Sequence, residues 1–355
     1  MVLDLGAPPA ELALSLVNTP SVSGEEAPLA DAVHTTLARL PHLRVAREGA
    51  AVVARTEVGR RWRVVVAGHL DTVPIKGNVP GRLTDGMLWG RGSVDMKGGL
   101  AAMLAAAAAL VAPSHDVTWV FYDNEEVSSD LSGLGRLIAR RPDWVAGDFG
   151  ILCEPTEGRL EGGCNGTLRT LVSARGKAAH SARPWTGRNA IHALGGALDR
   201  LVAFEAPTVR VDGLDYLESL SAVRIAGGTA GNVIPDLASV AVNYRFAPDK
   251  SVADAEQVMA ELFHGYELSV EDAAGGARPG VDHPIARRLA EAVEARGGGA
   301  PRAKLGWTDV ARLSAIGIPA VNLGPGDPQM AHQDEEACPA DQIGLVAALL
   351  MDLLA

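Results

Sequence analysis

Short apolar runs that stop at an acid or a histidine alternate along this chain with segments of helical period. "VVVAGHLDTVP" (64–74), "VTWVFYDNEEV" (117–127) and "FGILCEPT" (149–156) predict buried strands ending in polar residues. Between them "DMKGGLAAMLAAAAALV" predicts a helix by propensity, and a Gly-rich helix is expected over 130–141. Residues 7–40 read as helical, broken at "NTPSVSGEEAP", where Ser23 and Glu26 have the spacing of a capping box. "RVAREGAAVVART" adds β structure. Strands alternating with helices predict an α/β domain with a largely parallel sheet, its polar residues gathered at the strand ends.

The texture changes near residue 168. "LRTLVSARGKAAHSA" alternates like a strand and "NAIHALGGALDRLVAF" is helical. "LSAVRIAGGTAGNVIPDLASVAVNYRFAP" reads as two antiparallel strands around a turn, and "SVADAEQVMAELFHG" as a helix. This β-α-β-β-α order predicts an α+β unit, residues 168–283, inserted into a first domain made of 1–167 and 284–355. "EDAAGGARPGVDHP" (271–284) is the expected return linker, after which helices and the strand in "IPAVNLGPG" complete the first domain.

Composition narrows the function classes. Of 355 residues only 4% are aromatic, so the core must rest on Ala, Val and Leu. A net charge of −11 argues against nucleic acid or an anionic membrane as partner. Cys153, Cys164 and Cys338 form no C-x-x-C pair, which predicts reduced thiols and neither a disulfide framework nor a thiolate metal site. The N-terminal stretch lacks the pattern of a secretory leader, and the apolar run 98–112 is too short to span a bilayer, so a cytoplasmic protein is expected.

The strand ends carry the candidate chemistry. His69 and Asp71 stand two apart and therefore point to one side of an extended chain. Asp95, the pair Glu125 and Glu126, Glu154 and His332 follow in other segments. Each has a plain structural explanation: Asp95 could cap the helix it precedes, and Glu125 and Glu126 could be first-turn acids facing a helix dipole. Together they are harder to explain. Strand ends of an α/β sheet converge on one crevice, where carboxylates repel unless cations offset them. No run of Lys or Arg accompanies them; Arg91 and Lys97 flank Asp95 as near basic neighbours. Divalent metal is the economical solution, and imidazole with carboxylate donors fits Zn²⁺, with Mn²⁺ or Co²⁺ as substitutes. The donors exceed the three protein ligands of a single catalytic zinc, so two metals about 3.5–4 Å apart use them fully.

"GHLDTVP", "GRGSVDMKGG", "YDNEEV", "ILCEPT" and "MAHQDEE" together resemble the co-catalytic dizinc aminoacylase and carboxypeptidase family of metallopeptidases. The resemblance implies a zinc-dependent exopeptidase-like domain and an inserted, ferredoxin-like lid or dimerisation domain. It implies His69 and Glu154 on one zinc, Glu126 and His332 on the other, and Asp95 bridging both. Glu125 is then the general base and Asp71 the carboxylate that orients His69. The peptide after Asp95 is expected to be cis. "EGGCNGTLR" and "AAHSARPWTGRNAIH" are similar to deacylases within the family, which implies a small carboxylate-rich acyl-amino-acid substrate. By the same resemblance Asn232, Arg245, Thr308 and, more weakly, Arg183 and Arg188 contact that substrate. His180 is donated across a homodimer to the partner's site, to stabilise the oxyanion.

Overall fold

The computed structural model describes residues 2–355. In chain order the principal elements begin with α1 (Pro9–Val17), α2 (Ala27–Leu37), β1 (Arg44–Glu48), β2 (Ala51–Arg55) and β3 (Arg63–His69). There follow α3 (Lys97–Ala109), β4 (Asp116–Tyr122), β5 (Phe149–Leu152), β6 (Glu161–Gly162), β7 (Gly166–Arg175) and α4 (Ala190–Val202). β8 (Ser219–Gly227), β9 (Leu237–Phe246), α5 (Val252–Leu262), β10 (Glu267–Ala274), α6 (Pro284–Ala295), β11 (Ala320–Asn322) and α7 (Ala340–Leu354) complete the set.

The chain forms two compact units. One runs through Gly162 and resumes over Pro279–Arg302 and Thr308–Ala355; the other comprises Gly163–Arg278 and Ala303–Trp307. The second unit thus begins five residues before the change of texture at 168, and it also takes a short later segment.

In the first unit the sheet order runs β1-β2-β4-β3-β5-β11-β6, with β3 parallel to both β4 and β5. Val64 and Val66 face one side, where Val52, Ala54, Val117 and Trp119 join residues of α1, α2, α3, α6 and α7 in one core. Val65 and Ala67, on the opposite face, are equally buried. Burial on both faces is why these strands read as continuous apolar runs. Gly99 in α3 is required by contact: a Cβ there would meet the Cys153 carbonyl at 2.2 Å, so the helix can lie against the end of β5 only without a side chain.

In the second unit the order is β8-β9-β7-β10, antiparallel throughout. Leu168, Val172, Val240 and Phe246 pack against Leu194 and Ala197 of α4 and Met259 of α5. This is the ferredoxin-like split β-α-β arrangement. Among the described residues no helix is long and apolar enough to cross a membrane.

Two expectations are corrected. Residues 271–274 belong to β10 and are not linker: the strand pairs with β7 across a register shift between Val270 and Asp272. Ser23 and Glu26 do not form a capping box. Glu26 occupies the N-cap of α2 without a side-chain cap bond, and the Ser23 hydroxyl donates instead to the Asp71 carboxylate, 2.8 Å away.

Candidate metal centre

Because β3, β4 and β5 run parallel and pair His69 with Tyr122 and Ala67 with Leu152, their carboxyl ends open on the same side. β3 delivers His69 itself, while the loops after β4 and β5 carry Glu125, Glu126 and Glu154. Asp95 sits just before α3 and His332 comes from the loop after β11. Asp95 is not the helix cap: Met96 holds that position with no side-chain cap bond, and the Asp95–Met96 peptide is cis.

The carboxylate of Asp95 lies between two imidazoles. His69 Nε2 is 3.0 Å from its Oδ1, and His332 Nε2 is 3.3 Å from its Oδ2. His332 Nε2 also lies 2.8 Å from Glu126 Oε1. One donor atom each from His69, Asp95 and Glu126 falls within 4.8 Å of the others. Donors at about 2.0–2.1 Å from a tetrahedral zinc are themselves about 3.3 Å apart, so these separations suit atoms that share a cation. Imidazole and carboxylate without thiolate is a donor set for Zn²⁺, Mn²⁺ or Co²⁺. The residues therefore fit a metal centre, with Asp95 able to address two ions.

The electrostatics have the same character. Hydrogen bonds to Asp95 and Glu126 raise the His332 imidazole to about 10, despite partial burial. Burial, against the pull of His69, pushes the Glu125 carboxyl well above its usual range, and Glu154, Asp309 and Glu126 push it the same way. Glu154 is itself buried beside this cluster. A carboxyl kept basic by burial and like charges is suited to accept a proton.

Asp71 is fully buried. Burial would raise its carboxyl, but hydrogen bonding to His69 and to two amides holds it at about 2. Its oxygens accept from Glu125 N and Glu126 N, both at 3.0 Å. His69 Nδ1 lies 3.0 Å from the Asp71 main-chain carbonyl and 3.5 Å from its carboxylate. The ring thus faces both the carbonyl and the carboxylate of Asp71, and the same carboxylate also holds the acidic loop.

Sequence reasoning passed over two further buried acids. Glu336 accepts from Arg91 Nη1 at 2.8 Å and from the amides of Gly92, Val94 and Asp95 at 3.1, 2.9 and 3.1 Å, fixing the segment that bears Asp95. It lies within the "MAHQDEE" motif, which was its only signal. Asp309 accepts from Arg312 Nε at 2.6 Å and acts electrostatically on Glu125 and Tyr122. Its neighbour Thr308 is buried, its hydroxyl donating to Asn322 Oδ1 at 2.9 Å.

The remaining predicted residues lie in the second unit. His180 is exposed on a two-residue strand, where its Nδ1 accepts from Ala182 N at 3.1 Å, leaving the proton of the neutral ring on Nε2. Asn232 is beside it, its carbonyl accepting from Ser181 N, and Arg183 N donates to the His180 carbonyl. Arg245 stands elsewhere in that unit, on β9 opposite Thr167 and Ser219, with burial lowering its guanidinium below the ordinary value.

A family profile described as peptidase family M20/M25/M40 matches residues 65–355. The succinyl-diaminopimelate desuccinylase of Corynebacterium glutamicum is 45% identical over 99% of this chain and 97% of its own. A Mycobacterium tuberculosis protein provisionally given that name is 52% identical over 98% of both chains. Among solved structures, the Bacillus subtilis YXEP protein, described as a dinuclear metal-binding peptidase of the M20 family, covers 97% of this chain and 96% of its own with a TM-score of 0.71 at 16% identity.

Proposed function

The chain belongs to peptidase family M20/M25/M40, and from that premise we propose that it removes succinate from N-succinyl-LL-2,6-diaminopimelate by metal-dependent amide hydrolysis. The reaction yields succinate and LL-2,6-diaminopimelate, a step in lysine and cell-wall precursor synthesis. The observation that carries the chemistry is Asp95 between His69 and His332 with the basic carboxyl of Glu125 beside them. The substrate rests on the name of the relatives that match nearly the whole chain.

His69 and Glu154 would hold one Zn²⁺, Glu126 and His332 a second, and Asp95 both; Co²⁺ or Mn²⁺ would substitute. Bound, the ions supply Lewis acidity toward the amide carbonyl and acidify water. Glu125 takes the proton from the attacking water and returns it to the departing amine, so one carboxyl serves both halves of the reaction. His180 offers its Nε2–H to the oxygen on which negative charge develops. Arg245, Asn232, Thr308 and Arg183 receive the carboxylates and polar groups of a small acyl-amino-acid substrate, for which guanidinium forks are suited.

The protein acts in the cytoplasm as a homodimer joined through the second unit. What supports the dimer is β8, an edge strand exposed along most of its length, with Val223 56% and Ile225 60% accessible.

Two measurements test the reading. Zinc-loaded protein should turn over N-succinyl-diaminopimelate faster than N-acetylornithine or a dipeptide assayed beside it. The reverse order would reassign it among the deacylases and dipeptidases of the family. Glu125→Ala should lose about 10²–10⁴ in kcat while still binding two metal ions by elemental analysis. Retained turnover would remove Glu125 as the base.

A further inference from the structure

The motif "SGEE" (23–26) does not cap its helix, and the structure shows where its side chains go instead. The segment before it is bound alongside the residues that follow β3. Ser21 Oγ donates to the Leu70 carbonyl at 2.7 Å, Thr72 N to the Ser21 carbonyl at 2.9 Å, and Ser23 N to the Thr72 carbonyl at 3.2 Å. This pairing places the Ser23 hydroxyl 2.8 Å from Asp71 Oδ2, the same oxygen that accepts from Glu126 N. Glu26, 2% exposed, turns its carboxylate back over the motif, and Oε1 accepts from Gly24 N at 2.8 Å and from Asn124 N at 3.2 Å.

Three consecutive amides, those of Asn124, Glu125 and Glu126, therefore point at two carboxylates contributed by distant parts of the chain. Asn124 is in the left-handed region, φ 58°, so the loop turns its successive N–H groups inward as an anion-binding concavity. Here the anions are the protein's own. Orientation of that loop is what aims Glu125 and Glu126.

We propose that Ser23 and Glu26 are positioning residues for the catalytic loop, Glu26 by holding the Asn124 amide directly and Ser23 by fixing the Asp71 carboxylate that holds the next two. The inference rests on Glu125 being the base, but its test does not. Hydrogen exchange is followed in the metal-free protein over peptides spanning 123–127. Loss of one hydrogen bond to a buried carboxylate should speed local exchange about tenfold in Glu26→Ala and about threefold in Ser23→Ala, with β4 and α3 unchanged. Glu26→Gln keeps an acceptor oxygen in place and should return exchange close to wild type. In the loaded enzyme kcat should fall in the same order at nearly constant KM.

Unchanged loop exchange in Glu26→Ala would overturn the proposal. So would exchange raised throughout the unit equally by Glu26→Ala and Glu26→Gln, which would mark a structural carboxylate only. If instead Glu125→Ala remained active, the base assignment would fail while the exchange result stood on its own.

Discussion

Asp71 shows how one carboxylate can be legible in position and in one partner while its other partners stay hidden. Its spacing from His69 was enough to place both on one side of β3, and they do meet. The period of two says nothing about main-chain donors brought up from residues 125 and 126, which take the carboxylate at 3.0 Å while the ring lies 3.5 Å off. Asp71→Asn tests the difference. The amide keeps one acceptor but sets an NH₂ group against donors, whether the Glu125 amide or the Ser23 hydroxyl and Glu126 amide. We expect kcat to drop about 10–100-fold, the cost of misplacing a catalytic group by a fraction of its reach. Metal content should remain near two per chain by elemental analysis, because the His69 ring keeps the Asp71 carbonyl as its acceptor. Loss of metal in proportion to activity would show that the carboxylate acts through metal binding at His69 and not through the placing of Glu125 and Glu126.

At the scale of elements, the helix α3 was readable from propensity, but the reason for "KGG" at its start was not. Two glycines weaken a helix, and only their close contacts show why they are there: a Cβ would meet the Ser93 carbonyl at 2.7 Å from Gly98 and the Cys153 carbonyl at 2.2 Å from Gly99. The strand β10 was missed for a related reason. Its Glu267, Glu271 and Asp272 are polar on an edge position, and its identity comes from pairing with β7 rather than from its own pattern. Glu336 is the strongest case of tertiary organisation hidden in a motif: a single side chain satisfies three amides and Arg91. Arg91 and Glu336 are 2% and 1% exposed. Removing one partner leaves a buried charge, so Arg91→Ala should destabilise the metal-free protein by about 3–5 kcal/mol in urea unfolding. A loss below 1 kcal/mol would mean that the three amides suffice to stabilise the carboxylate.

For the whole molecule, the insertion was visible because a strand–helix texture of one kind gives way to another and later returns. Whether the edge of β8 meets solvent or a second chain was not visible, since the strand's sequence reads the same either way. In a closed twofold dimer the same strand of each subunit meets its copy, and an added charge on the face of Val223 and Ile225, opposite the Arg224 that is already paired with Glu271, should prevent this. Ile225→Arg is therefore expected to shift the protein to monomer in sedimentation velocity and to remove most turnover without lowering the melting temperature of each unit. Whether His180 works across the dimer is settled by mixing two inactive chains. In a heterodimer of Glu125→Ala and His180→Ala subunits, one site pairs an intact Glu125 with the intact His180 of its neighbour. Random co-assembly makes half the dimers mixed, each with one competent site, so about a quarter of wild-type activity should return. If His180 served its own chain, no site in any dimer would hold both residues, and the mixture would stay as inactive as its parts.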